Sequence, residues 1–292
     1  MGTAWSLLAV APREGAVAAV EAAFAIVIAQ MSQWNAASDL SRFNAAPPGQ
    51  WWPIPSEFAS VLSAARDIAA ASDGAFDPGL GDVTERWGFG GAGPVSTVPD
   101  DAASRTAARQ LDFDADARRI RRGEGTSLDL SGIAKGYAVD LAAERLLDMG
   151  VRHFLIEVGG ELRGQGIRPD GQPWWVDVEP PSSLPAPAPP PWRIALHDLS
   201  VATSGNYRRG FSAGGRHYSH SFDPGTGRPI VHDVASVTVL HRRCMMADGW
   251  ATALTVMGAD RGIEAANRQG LAACIVAGGR EHPSDAWRAM LT

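Results

Sequence analysis

The chain has 292 residues, 45% of them apolar, enough for one large domain or two lobes with a full core. A net charge of −6, with Lys and Arg scattered apart from Arg118-Arg119-Ile120-Arg121-Arg122, excludes a general polyanion binder, so no nucleic acid is expected. Cys244 and Cys274 are the only cysteines and lack CxxC spacing, which excludes a disulfide framework and a thiolate zinc site.

Met1 to Val10 reads as a strand. Glu14 to Trp34 reads as a helix, because Val17, Val20, Phe24, Ile28 and Met31 fall near a 3.6-residue period. The longest apolar run, Ala22 to Ala29, is far too short to span a bilayer. The start has no basic region followed by an apolar core and a small-residue cleavage site. As written the chain reads as cytoplasmic, and as periplasmic or membrane-anchored if its true start lies upstream. Glu57 to Ala71 is a second helix, with Pro55-Ser56 before it and Asp73-Gly74 after it. Gly88 to Pro99 is a Gly/Pro loop, and Thr106 to Arg122 reads as a short helix followed by strands.

An apolar strand then carries Asp129, and a Ser-Gly turn opens into a helix over Ile133 to Met149, stopped by Gly150. His153 to Val158 is a strand ending in Gly159-Gly160. Trp174 to Val178 and Trp192 to Leu196 are strands separated by a Pro-rich insertion at about 180–191, which loops out because proline cannot feed a sheet ladder. Val234 to Leu240 is a strand, Ala247 to Met257 a helix stopped by Gly258, Glu264 to Gln269 helical, and Ala272 to Ala277 a closing strand. Strands and helices mix without a βαβ beat. The expected class is α+β, with two sheet-bearing lobes and helices around a central cleft.

Several segments carry candidate chemistry. Asp129 and Lys135 flank the start of the third helix, where a glycine turn offers free N–H groups to an anion such as a phosphate. Asp248 and Thr252 stand one helical turn apart, and a carboxylate and a hydroxyl there suit a hard cation such as Mg²⁺. They equally suit an acid complementing a helix dipole beside a packed threonine. His220 precedes the turn Asp223-Pro-Gly-Thr-Gly227 and fits either a general base or a structural histidine. His217 and His220 have no third ligand nearby to complete a metal site. Asp77 before Pro78 favours a turn, either a capped helix exit or a loop beside a flat ligand.

In order, MGT at Met1, SRFN at Ser41, GAFDP at Gly74, WGFG at Trp87, DLSGIAKGYAVD at Asp129, EVGGELRGQG at Glu157, ATSGNYRR at Ala202, HSFDPGTGRPI at His220 and ADGWAT at Ala247 closely resemble the ApbE family of FAD:protein FMN transferases. The resemblance implies one ApbE-like domain over 1–292 around an FAD cleft. It implies Mg²⁺-dependent transfer of FMN from FAD, the substrate, to a Thr or Ser hydroxyl of a target redox protein through a phosphoester, releasing AMP. Met1, Trp34, Ala75, Phe76 and Asp77 would line the FAD pocket, with Trp34 where relatives often have Tyr. Asp129 and Lys135 would hold FAD, Lys135 near the pyrophosphate. The Gly132 carbonyl, Asp248, Thr252 and the Ala251 carbonyl would bind Mg²⁺, and His220 would be the base beside FAD and the acceptor. Gly79 replaces the usual Thr after Asp77-Pro78. An FAD pyrophosphatase giving FMN and AMP, and a flavin-binding protein without turnover, are the competing readings.

Overall fold

The structure is a computed structural model that describes residues 2–95, 97–99, 110–181, 191–206, 210–213 and 216–291. Its frame is a seven-stranded antiparallel sheet. The strands are β1 (Trp5–Ala9), β5 (Phe154–Val158), β6 (Glu161–Gln165), β9 (Leu199–Gly205), β14 (Val234–His241), β15 (Ala272–Ala277) and β16 (Arg280–Pro283), in the order β1-β5-β6-β9-β14-β15-β16. A three-stranded sheet adds β2 (Trp52–Pro53), β3 (Leu111–Asp114) and β4 (Arg119–Arg122). Three two-stranded pairs are β7 (Trp174–Val178) with β8 (Trp192–Leu196), β10 (Gly210–Ala213) with β11 (Arg216–Ser219), and β12 (Phe222–Asp223) with β13 (Arg228–Pro229).

The helices are α1 (Ala16–Met31), α2 (Asp39–Ala45), α3 (Ser56–Ala71), α4 (Gly81–Arg86), α5 (Ala134–Asp148), α6 (Cys244–Met257), α7 (Ala259–Arg268) and α8 (Asp285–Ala289). The expected mixture of helix and strand is therefore present.

Side chains alternate across the large sheet, as a pleated strand requires. Ala202, Val239, Ala273 and Ile275 face the main core, which α1, α3, α5 and α6 cover. Val201, Leu240 and Cys274 face a smaller core closed by Trp174, Ile194, Leu196 and Trp287. A third cluster, built from Val83, Trp87 and Phe222, ties α4 to the small hairpins. No helix among the described residues is long and apolar enough to cross a membrane.

The structure corrects several boundaries. The first helix ends at Met31, because Ser32 turns into extended backbone, so Trp34 lies beyond it. The segment carrying Asp129 is not a strand. It is extended chain with a single bridge, Leu80 to Ser127, and is held by the Asp129 N–H donating to the Pro78 carbonyl at 2.8 Å. The helix expected from Ala247 begins at Cys244. Both oxygens of the buried Asp140 carboxylate accept its first N–H groups, Cys244 at 2.9 Å and Met245 at 3.0 Å. The strands between Thr106 and Arg122 are present; the short helix expected before them and most of the Pro-rich insertion lie outside the described residues.

Candidate active site

Helices α5 and α6 cross so closely that a Cβ on Gly136 would lie 2.4 Å from the Cys244 carbonyl oxygen and 2.8 Å from the Asp248 Cβ. Glycine there lets the Gly136 N–H donate to Asp248 Oδ2 at 2.9 Å. The crossing places Lys135, in the first turn of α5, near Asp248, in the second turn of α6. On the far side the chain leaves β5 through Gly159 and Gly160, at φ 59° and 105°. A Cβ on Gly159 would also strike the Thr3 hydroxyl, at 2.6 Å. That turn delivers Glu161 to the start of β6, and Glu161 Oε2 pairs with Lys135 Nζ at 2.6 Å.

Glu161 is 2% exposed and Asp248 4%. Burial, then the charge of Asp248, pushes the Glu161 pKa up to about 8 against the pull of Lys135. Burial also raises the Asp248 pKa, while Lys135 and the Gly136 N–H draw it down. Burial works to lower the Lys135 pKa, but the negative charges of Asp248 and Glu161 outweigh it and hold it above its usual value. Two buried acids thus share one ammonium, and the raised pKa of Glu161 marks a site short of positive charge.

The other walls are held by local hydrogen bonds. Asp129 Oδ1 accepts the Ser131 N–H at 2.8 Å, and Asp129 Oδ2 accepts the Thr84 hydroxyl at 2.8 Å. The Asn44 side chain accepts from the Leu128 N–H and donates to the Leu128 carbonyl, both at 2.8 Å, so the SRFN motif pins the segment that carries Asp129. Asp77 Oδ1 accepts the Gly79 N–H at 2.7 Å, the turn expected before Pro78. The Thr252 hydroxyl donates to the Gly132 carbonyl at 3.3 Å and lies 3.3 Å from the Ser204 hydroxyl. His220 sits beside Phe89, with ring centroids 6.2 Å apart, and the Trp87 indole N–H donates to the Gly227 carbonyl at 3.3 Å.

One cavity of about 390 Å³ gathers Ala75, Phe76, Asp77, Asp129, Gly132, Lys135, His220, Asp248 and Thr252, together with Gly2, Thr3 and Glu161. A second, of about 510 Å³, meets it at Ala75 and Val256 and is walled in part by Asp223, Pro224, Gly225 and Thr226 of the hairpin turn. Trp34 is half exposed and outside both linings. Ala251 is fully buried, and its carbonyl accepts the Thr255 hydroxyl at 2.8 Å within α6. Met1 lies outside the described residues. The sequence reading missed Glu161; the available signal was an acid directly after a Gly-Gly turn.

No group of three or more His, Cys, Asp or Glu side chains that could hold a metal occurs among the described residues. The Gly132 carbonyl, the Asp248 carboxylate and the Thr252 hydroxyl form an oxygen-only set facing the same cavity. That set fits a hard cation that keeps water or phosphate as its remaining ligands.

The fold is that of solved flavin transferases. The chain is similar to the flavin transferase ApbE from Vibrio cholerae, with a TM-score of 0.88 at 31% identity over 99% of this chain and 96% of that one. It is similar also to the apo flavinyl transferase ApbE of Pseudomonas stutzeri, with a TM-score of 0.85 at 33% identity over 98% and 96%. A relative named FAD:protein FMN transferase from Vibrio cholerae is 35% identical over 90% of this chain and 80% of its own length. One of the same name from Haemophilus influenzae is 35% identical over 88% and 77%. The ApbE family model matches residues 1–275, and the chain belongs to the ApbE family.

Proposed function

We propose that this protein transfers FMN from FAD to a Thr or Ser hydroxyl of a target redox protein, in a Mg²⁺-dependent reaction that releases AMP. The observation that carries the reading is the convergence of Lys135, Asp129, Asp248, Thr252 and His220 on one cavity, in a chain whose relatives are named for this transfer. The adjoining cavity gives an extended dinucleotide room on both sides of the charged cluster.

In the proposed step the acceptor oxygen bonds to the FMN phosphorus. The bond from that phosphorus to the bridging oxygen breaks, and AMP leaves with that oxygen. Lys135 faces the pyrophosphate and stabilises charge as it builds on the phosphoryl oxygens. Asp129 orients a polar edge of FAD, and the 75–77 loop and Gly2-Thr3 close the cavity around it. His220 takes the proton from the acceptor hydroxyl as the new bond forms. Gly132, Asp248 and Thr252 would hold Mg²⁺, with the Ala251 carbonyl joining only if its bond to Thr255 yields. When bound, the ion supplies Lewis-acid stabilisation of the diphosphate. Met1 and Trp34 are assigned to the flavin by resemblance alone.

The test is incubation with FAD, Mg²⁺ and a short Thr-containing peptide, read by mass spectrometry. A peptide heavier by one FMN supports the transferase. Free FMN and AMP with unmodified peptide replaces it with the pyrophosphatase, and FAD bound but unchanged with a carrier. Asp248→Ala is expected to abolish transfer and Mg²⁺ binding together; unimpaired transfer with metal still bound refutes the cation assignment.

A further inference from the structure

Lys135 has two buried carboxylates within electrostatic reach, but among the described residues its ion pair is with Glu161 and not with Asp248. Asp248 interacts with Lys135 through space and spends one oxygen on the Gly136 N–H. The Lys135 side chain keeps about a third of its surface exposed, while Glu161, at the wall of the same cavity, is almost fully buried. A lysine stem has four rotatable carbons, and its ammonium goes wherever the nearest counter-charge draws it. Without the charge of Glu161, the remaining buried counter-charge is Asp248. An ammonium lodged there would compete with a cation for the same carboxylate and would withdraw from the phosphate-facing side of the cavity.

We propose that Glu161 is a positioning residue, which holds the Lys135 ammonium toward the reaction cavity and keeps it off Asp248. The inference rests on the transferase reading above and adds a residue that acts through Lys135 rather than on the substrate. Burying a carboxylate is costly unless it is paired, so an acid 2% exposed at this position is explained by the ammonium it holds. The Gly159-Gly160 turn, whose positive φ angles only glycine adopts freely, delivers it there.

The experiment is a double-mutant cycle on the full chain: wild type, Glu161→Gln, Lys135→Met and the double variant. Two readouts are taken above about pH 8, where Glu161 is ionised: Mg²⁺ affinity of the flavin-free protein by calorimetry and the single-turnover transfer rate at saturating FAD. Glu161→Gln is expected to slow transfer by about 10- to 100-fold, the scale of an ångström-sized misplacement of a catalytic group. It is also expected to weaken Mg²⁺ binding. In the Lys135→Met background the same change should alter neither readout by more than about twofold, because there is no ammonium left to misplace. Equal effects of Glu161→Gln in both backgrounds, or none in either, overturn the proposal. If Glu161→Gln does not fold, Glu161→Asp, which keeps the charge but shortens its reach, carries the cycle by the same criteria. Failure of the function reading is separately visible: wild type would then bind Mg²⁺ without modifying the peptide, and the calorimetric cycle would still judge Glu161. Wild type that transfers FMN without measurable Mg²⁺ affinity leaves the judgement to the transfer-rate cycle, and wild type that does neither overturns the proposal together with the reading it rests on.

Discussion

Gly136→Ala places one methyl group where α5 crosses α6. The added carbon would lie 2.4 Å from the Cys244 carbonyl oxygen, 2.7 Å from its carbon and 2.8 Å from the Asp248 Cβ. None of these atoms is the end of a flexible side chain, so the helices themselves must separate. Overpacking of this kind costs about 1–3 kcal/mol, and rigid backbone neighbours put this case near the upper end. Alanine returns about 1 kcal/mol through its better helix propensity. The net loss is about 2 kcal/mol, roughly a 30-fold fall in the folding equilibrium constant. Urea denaturation followed by circular dichroism measures it as a lower midpoint at an unchanged slope. Because Asp248 is one of the displaced groups, FMN transfer should fall at least about tenfold in protein that is still fully folded. A variant that matches wild type within about 0.5 kcal/mol and keeps full activity would refute the reasoning from the close crossing.

Other outcomes follow from the same geometry. Asp140→Ala removes the cap of α6 and strands Arg163, whose ion pair with Asp140 at 2.9 Å is almost wholly buried. The expected loss is about 3–5 kcal/mol by chemical denaturation, with Asp140→Asn losing less because its amide oxygen still accepts an N–H. The raised pKa of Glu161 predicts a pH dependence for the ligand-free protein. Below its ordinary value of 4.5 both folded and unfolded chains hold the proton; between there and about 8 the unfolded chain has lost it while the folded one keeps it. Stability from this group is therefore fully present in acid and lost as pH rises through about 8. Thermal melts across that range should show the decline, and Glu161→Gln should flatten it. Added Mg²⁺ should raise the melting temperature most at the alkaline end, where both carboxylates are ionised.

Local pattern carried the reading of the chain a long way. The strands Trp174–Val178, Trp192–Leu196 and Ala272–Ala277 have the bounds expected from alternation and β-branched content, and the turn Asp223–Gly227 joins two strands as its residues require. The order of the short motifs also identified the family, since each motif is a backbone device placed at a fixed point along the fold. These features depend on neighbours in sequence, which is why they are legible there.

Tertiary structure alone decided the rest. It set the seven-strand order, the helix start at Cys244 fixed by a carboxylate 104 residues away, and the choice of Glu161 rather than Asp248 as the partner of Lys135. It also set how exposed each candidate is, Trp34 being half exposed while Asp248 and Glu161 are buried. Hydrophobic periodicity fixes which face of an element is buried, but not which element covers it. The charge state and partners of a buried group depend on what the chain brings to it from far along the sequence, and on how much water that packing removes.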